Sequence, residues 1–402
     1  MNRPMFAILG ALVWSASAVA WAQDAPDISP ALEENTPSAA LEDVAASPAP
    51  QTGDAAAFRP WARVEAELIG GLMVAPSESW SAFEIERAEL GLRTEPIAWA
   101  GAELRLESVR SASGGSLLGV DGNSMVVRVK RAQAYVHGEL GPVHLEGRVG
   151  MIQDIWIEAL EGQTSLRGFS PLTAESGDFF DTSDAGGSLV LKTGPQLLGG
   201  DAFRLALSLT NGEGRRDSER NRGKNITAVL SIQPVVAVLA GAPLRVGLHG
   251  AFRDGSAGTL ATRNHRQALA LTANHERFEV GGEWIRAQGH GGDGTVTASG
   301  VGVWAMGQLI PTWLGAVVRY DNVNLDVNIE DAHRRSIQAA LFTDVGLRAR
   351  RDATVSGSLR FFLGVESLAH GENGGAIPGA PDASDSFRVN FWVASKGGLF
   401  FR

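Results

Sequence analysis

Apolar and polar side chains alternate along the last stretch of this chain. From Phe387 to Phe401 every second residue is apolar or small, and Arg388, Asn390 and Lys396 lie between them. A period of two places the two sets on opposite faces of a β-strand, which a helix does not do. Such a strand turns apolar groups toward lipid and polar groups toward water, and strands cross membranes only in closed barrels. The pattern therefore predicts a membrane β-strand.

The same alternation recurs from Trp61 onward in segments of about ten residues, the length that a tilted strand needs to cross a bilayer. Clear examples are residues 98–107, 143–151, 244–253 and 355–366. A soluble β-sandwich also alternates, but the 10 Trp residues, many of them near strand ends, favour a membrane protein. The sequence therefore predicts an all-β fold, a transmembrane antiparallel β-barrel.

Short and long connections alternate along the chain and indicate the number of strands. Seven tight turns and eight longer polar loops join sixteen strands, and merging one weak pair would give fourteen. An even number of strands keeps both ends of the barrel's chain on the periplasmic side and places the long loops on the outside. One tight turn is predicted at Thr94-Glu95-Pro96. The second strand changes phase, which predicts a β-bulge near Glu86 and Arg87.

Two segments precede the predicted barrel, which spans residues 58–402. Residues 1–22 combine a basic start, a short apolar stretch and Ala20-Trp21-Ala22, the features of a secretory signal cleaved after Ala22. A membrane-anchoring helix is the alternative, although its apolar stretch is shorter than the roughly 18 residues needed. Residues 23–57 are rich in Ala, Pro and acidic groups and contain no Lys or Arg. This composition predicts a disordered periplasmic lead-in.

The third long loop, Gln153 to Asp184, combines apolar and acidic residues. Its large apolar groups are Ile155, Trp156, Ile157, Leu160, Phe169, Leu172, Phe179 and Phe180. So many apolar groups predict that the loop packs on the barrel wall and narrows the pore, with a contact between subunits as the alternative. The predicted constriction residues are Asp154, Trp156, Glu158, Glu161, Arg167, Asp178 and Asp181. An acidic constriction of this kind repels phosphate.

Arginines recur at positions predicted to line the pore. They are Arg63, Arg87, Arg105, Arg128, Arg148, Arg245, Arg319, Arg360 and Arg388. One interpretation is a basic strip that guides anions, because guanidinium groups bind carboxylate and phosphate well. The other, which we favour, is pairing with acids on the same strand faces, which would rigidify the barrel. Those acids are Glu65, Glu103, Glu107, Glu146 and Asp321.

Other function classes find little support in the sequence. The chain has no Cys, and its eight His are scattered without ligand spacing, so we predict no metal and no cofactor. The net charge of −10 lies largely in residues 23–57, and a nearly balanced remainder argues against binding nucleic acid. No linear motif marks a Ser and His pair on the outer wall, although its absence does not exclude a barrel-embedded enzyme.

Several short motifs resemble the phosphate-selective porin O and P family. They are Phe83 to Leu92, Ala98 to Leu106, Ala132 to Val136, Val143 to Gly150 and Leu209 to Gly214. The resemblance covers roughly the first half of the barrel and implies a trimeric, sixteen-stranded channel whose third loop folds inward.

Three features depart from that family. Lysine is scarce, whereas phosphate-selective members resemble one another in clustered pore lysines; the chain has only Lys130, Lys192, Lys224 and Lys396. The third loop is acidic, and the chain ends on Arg402 after the aromatic Phe401. The first two features make phosphate specificity doubtful.

The sequence as a whole predicts a porin of the outer membrane of Gram-negative bacteria. We expect passive diffusion of small hydrophilic solutes or ions, with outer-membrane lipid around a homotrimer, no nucleic acid and no catalytic activity. The alternatives are a plugged structural or adhesive barrel and a barrel-embedded enzyme.

Overall fold

A computed structural model of the chain describes residues 60–76, 80–110, 125–193, 202–212, 214, 223–257, 262–311, 313–348, 355–371 and 385–401. The predicted signal (residues 1–22) and acidic lead-in (residues 23–57) lie outside these residues. Among the described residues, no helix is both long and apolar enough to cross a membrane.

Sixteen antiparallel strands form one closed sheet. They are β1 Trp61–Ala75, β2 Trp80–Ile97, β3 Ala100–Arg110, β4 Met125–Leu140, β5 Val143–Gln153, β6 Ser183–Thr193, β7 Phe203–Thr210, β8 Asn225–Ile232 with Val235–Leu239, β9 Ala242–Asp254, β10 His265–His275, β11 Phe278–Gln288, β12 Thr297–Ile310, β13 Leu314–Asn324, β14 His333–Arg348, β15 Val355–His370 and β16 Ser386–Phe401. Each strand pairs with its neighbours in sequence, and β16 pairs with β1. The two pieces of β8 both pair with β9 and are separated at Pro234, which lacks a backbone donor. The predicted sixteen-stranded barrel is confirmed.

The two faces of the sheet differ as the sequence predicts. On β2, Leu90 is 51% exposed whereas neighbouring Glu89 is 5% exposed. The exposed apolar side chains lie on the outer face, the reverse of the arrangement in a soluble protein, and Trp99 and Trp313 are exposed at the turn ends of the strands. Apolar outer faces with aromatic residues at their edges are typical of outer-membrane barrels. These features bear out the bacterial outer-membrane location.

Two irregularities interrupt the pairing of β2. Ile69 lies opposite Arg87 and Gly70 opposite Ile85, so Glu86 is an extra residue and the predicted bulge is confirmed. The turn predicted at Thr94-Glu95-Pro96 is wrong, because β2 continues to Ile97 and the chain turns at residues 98–99. The pairing with β3 shifts between Thr94 and Ile97 instead. Pro96 cannot donate to the sheet, and such a shift accommodates it.

The connection between β5 and β6 contains the helices of the third loop. They are α1 Ile155–Glu161, a 3₁₀ turn at Leu166–Gly168, and α2 Thr173–Ser176. Asp154 caps α1, because its carboxylate accepts hydrogen bonds from the backbone of Trp156 (2.9 Å) and Ile157 (3.2 Å). We call residues 154–182 the third-loop segment.

Apolar side chains of the third-loop segment and of the strands form one buried cluster. From the segment it includes Ile155, Trp156, Ile157, Leu160, Leu166, Leu172, Phe179 and Phe180. The wall contributes large residues such as Trp304 and Phe362 and also several small ones, among them Ala206, Ala268 and Ala270. Gly300 and Gly302 on β12 complete this surface, because a side chain there would overlap Phe179 and Thr173. Small residues on the wall thus make room for large ones on the segment.

Candidate functional site

Helix α1 is held by arginines from three strands. Glu158 accepts two hydrogen bonds from Arg148 on β5, at 2.8 and 2.7 Å, and one from Arg204 on β7 at 2.7 Å. Asp154 pairs with Arg253 on β9. Both acids were predicted to form an acidic constriction. In the structure each of them has a guanidinium partner.

Protonation of Glu158 requires strongly acidic conditions. Burial raises the pKa of its carboxyl, but Arg148 and Arg204 outweigh burial and hold that pKa well below the ordinary value of 4.5. A group whose pKa is lower in the folded state stabilises the fold at pH values above its ordinary pKa. This stabilisation is lost as the pH falls through the folded-state pKa.

We therefore expect Glu158→Gln to lower the melting temperature at neutral pH by an amount that stays constant down to about pH 5. Below pH 4.5 the difference from the wild type should shrink, because the Glu158 carboxyl of the unfolded wild-type chain becomes protonated there, whereas the folded one keeps its charge to a much lower pH. Thermal melts of the detergent-solubilised barrel, followed by circular dichroism at each pH, measure this difference in melting temperature. A difference that shrinks between pH 8 and pH 6 would contradict this anchoring.

The tip of the segment contacts the wall at three separated places. On β11, Glu279 accepts hydrogen bonds from the Ser165 backbone and hydroxyl, both at 2.9 Å. Arg167 donates to Glu89 on β2 at 2.9 Å and to Glu161 at 2.6 Å. Arg167 also lies 3.5 Å from Glu67 on β1. The ring of Phe169 packs on that of Phe362 on β15, with centroids 5.5 Å apart.

A second helix, α2, is fixed by β11 and β13. Glu283 accepts hydrogen bonds from the backbone of Thr173 (2.6 Å) and Ala174 (3.3 Å). Arg319 pairs with Asp321 at 2.6 Å and donates to the carbonyl of Pro171. The Asp321 carboxylate also accepts a hydrogen bond from the Thr173 hydroxyl. The segment thus contacts strands from β1 to β15, on all sides of the barrel.

The wall of β1 to β4 carries a continuous network of ion pairs. Arg105 donates to Glu65 at 2.7 Å and to Glu89 at 3.1 Å. Lys130 donates to Glu89 at 2.6 Å, and both side chains are almost fully buried. Other pairs in this network include Arg63 with Glu65 at 2.9 Å and Arg128 with Glu107 at 2.7 Å. Together with the Arg148–Glu146 and Arg319–Asp321 pairs, they confirm the predicted pairing of wall arginines with wall acids.

No group of three or more His, Asp or Glu in the described part of the chain is arranged to hold a metal ion. The candidate site described above consists of ion pairs, backbone contacts and packed apolar groups between the third-loop segment and the wall.

Comparison with solved structures places this barrel in a known architecture. An anion-selective porin from Comamonas acidovorans matches with a TM-score of 0.52 at 13% identity, over 85% of this chain and 99% of that one. Salmonella typhi OmpF, solved as a complex with daunomycin, also matches with a TM-score of 0.52, at 12% identity, over 85% of this chain and 97% of that one. The fold is that of the bacterial porins. No protein-family model and no curated protein matches the chain, so the resemblance to the phosphate-selective family stays a hypothesis.

Within this porin fold, the predicted wall arginines occupy different surroundings. Arg148, Arg319 and Arg87 all contact the third-loop segment, and Arg87 does so at 3.4 Å from Glu175 on α2. Arg360 pairs with Asp344 at 2.5 Å and lies 4.7 Å above the ring of Phe342. Arg245 on β9 and Arg388 on β16 are half-buried.

The remaining constriction residues also differ from one another. Trp156 is fully buried among the wall residues, so it packs the segment onto the barrel and does not line a passage. Asp178 has a positive φ of 53°, at the end of α2, and Asp181 follows the buried Phe180.

Further wall residues hold the segment but were not identified from the sequence, among them Glu89, Arg204, Arg253, Glu279 and Glu283. Strand alternation alone places them on the inner face, which is the signal that could have suggested them.

Proposed function

We propose that this protein is a passive outer-membrane channel for small hydrophilic solutes or ions, in which the third-loop segment folds into the lumen as the constriction. The observation that supports it best is the set of segment contacts with β1, β2, β11, β13 and β15, which belong to opposite sides of a closed sheet. A segment that reaches opposite walls narrows the space between them. Aqueous passage past it fits a wall of charged side chains.

The charges around the segment favour weak ion selectivity. Asp154, Glu158 and Glu161 each pair with an arginine, so the acidic surplus expected from the sequence is largely neutralised. Paired charges also leave few donors for a phosphate, in agreement with the scarcity of lysine. We therefore propose neither strong cation preference nor phosphate specificity.

The homotrimer and the absence of catalysis belong to the same proposal. Three subunits follow from the resemblance to the phosphate-selective family. A plugged structural barrel is the second candidate, because the segment and the wall share one buried apolar cluster that includes Leu166 and Phe362.

The test is a single-channel recording of the purified full chain in a planar bilayer, with a KCl gradient. A channel predicts stepwise openings, in threes for a trimer, and a reversal potential close to zero. Strong anion preference with block by phosphate would restore the phosphate-channel interpretation. The absence of openings, with folding verified by heat-modifiable migration in gels, would favour the plugged barrel.

A further inference from the structure

A second polar cluster lies on the inner wall of β14, β15 and β16. It comprises Ser336, Gln338, Glu366, Ser386, Arg388 and Asn390, and we call it the wall patch. Cross-strand pairing aligns Gln338, Glu366 and Arg388 in one row. Ser336 and Ser386 stand in the next row toward the long loops, on either side of Leu368. Rows on one face are about 7 Å apart, so the patch is the size of a small solute.

Several hydrogen-bonding atoms of the wall patch are buried and unused. Ser386 and Asn390 are each only 7% exposed. Neither the Ser386 hydroxyl nor the Asn390 carbonyl oxygen has a partner in the part of the chain that the structure describes. The same holds there for the Ser336 hydroxyl, the Gln338 carbonyl oxygen and the Arg388 Nε. Buried polar groups usually have partners, so a cluster of unused ones points to a ligand or water that supplies them.

The surroundings of the wall patch give it a defined position in the channel. Toward the turns lies an aromatic row in which Phe362 stands between Phe342 and Trp392. Phe169 of the third-loop segment packs on Phe362 with ring centroids 5.5 Å apart. Between the aromatic row and Gln338, the wall carries only Ala340 and Gly364 beside Asn390. The patch therefore borders the place where the segment meets the wall, on the side of the long loops.

The unused atoms form a mixed set of donors and acceptors. Gln338 donates its amide to Glu366 at 2.8 Å, which leaves its carbonyl oxygen as an acceptor, like that of Asn390. The two serine hydroxyls both donate and accept, whereas Arg388 only donates. An anion such as phosphate needs donors alone, and the carboxylate of Glu366 opposes it. A solute with many hydroxyl groups uses donors and acceptors together.

We propose that the wall patch binds neutral polyhydroxylated solutes, of the sugar class, at the entrance to the constriction. The path by which a solute reaches the patch rests on the proposed channel function. Binding to the patch does not depend on that function. Aromatic rings beside polar groups are common in pockets for small molecules, and the row of Phe362 and Trp392 adjoins the hydrogen-bonding rows.

Two measurements on the full chain test this proposal. Saturation-transfer NMR on the detergent-solubilised protein detects glucose and sucrose bound weakly, whether or not the barrel conducts. Sugar-induced current fluctuations in a planar bilayer report binding inside an open channel. Ser386→Ala and Asn390→Leu remove patch groups. Ser188→Ala is the matched control, because Ser188 on β6 is 8% exposed and its hydroxyl likewise has no partner among the described residues.

We expect glucose and sucrose to bind the wild type and the Ser188→Ala variant equally. Ser386→Ala should weaken binding about fivefold and Asn390→Leu about tenfold, as the loss of one hydrogen bond and of a whole amide implies. Equal binding in all variants, or no sugar signal in the wild type, would overturn the proposal that the wall patch binds sugars. Ordered water would then be the partner of its buried polar atoms. Sugar signals in NMR without any conductance would support the sugar site and overturn the proposed channel function.

Discussion

Replacing residues 163–171 with a short Gly-Ser linker is expected to raise single-channel conductance several-fold. This change removes the tip contacts of Ser165 with Glu279, of Arg167 with Glu67 and Glu89, and of Phe169 with Phe362. Helix α1 keeps its own anchors on β5, β7 and β9, so the barrel should fold as before. Conductance depends on the narrowest part of a pore, and the tip reaches opposite walls there.

The matched control replaces residues 327–331, an exposed stretch of the loop between β13 and β14, with a similar linker. Its conductance should equal that of the wild type. Both proteins are compared in the same bilayer after gel migration and circular dichroism confirm folding. If the tip variant conducts like the wild type, the third-loop segment does not set the narrowest part of the lumen.

Arg319→Met is expected to destabilise the folded barrel by about 3–5 kcal/mol, the usual effect of removing one partner of a buried ion pair. The Arg319 side chain is 1% exposed, and the change leaves the Asp321 carboxylate buried without its cation. The carbonyl of Pro171 also loses its donor, which leaves the Thr173–Asp321 hydrogen bond to hold α2 on β13. Urea unfolding in detergent, followed by Trp fluorescence, measures the free energy of unfolding.

Arg128→Met is the matched control for this prediction. Arg128 pairs with Glu107 at 2.7 Å, but its side chain is 26% exposed and Lys130 lies 3.6 Å from the same carboxylate. Water and Lys130 can therefore compensate for its loss, and we expect an effect of about 1 kcal/mol or less. Equal losses in both variants would show that Arg319 does not anchor the segment through a buried pair.

The barrel follows from the sequence because its signals are local. Alternation over each strand gives the two faces, and the phase change in β2 locates the bulge at Glu86. The wall pairs follow in the same way, since Arg128 and Glu107 lie on adjacent strands and Arg319 and Asp321 are two residues apart on one strand. The turn at residues 98–99 was misplaced because Pro96 usually marks a turn, whereas here it lies in a shift of register.

The contacts of the third-loop segment could not be predicted in this way. Ser165 and Glu279 are 114 residues apart, and their contact depends on the path of the segment across a barrel of fixed size. The acidic composition of the loop does not show which of its carboxylates have partners on the wall. Arg204 and Arg253, which neutralise Glu158 and Asp154, come from strands far along the chain. Composition counts charges, but only the folded wall decides which of them remain unpaired.

Closure between β1 and β16 has a consequence for how the protein is made. Each end of the sheet exposes an unpaired strand edge until β16 reaches β1, and their register extends from Ala62 opposite Phe401 to Val74 opposite Val389. Free edges and uncovered apolar faces promote aggregation. The strands from β1 onward therefore stay open to pairing with other copies until β16 has paired with β1. The order of the strands along the chain thus makes pairing of the last strand with the first the event that removes both free edges.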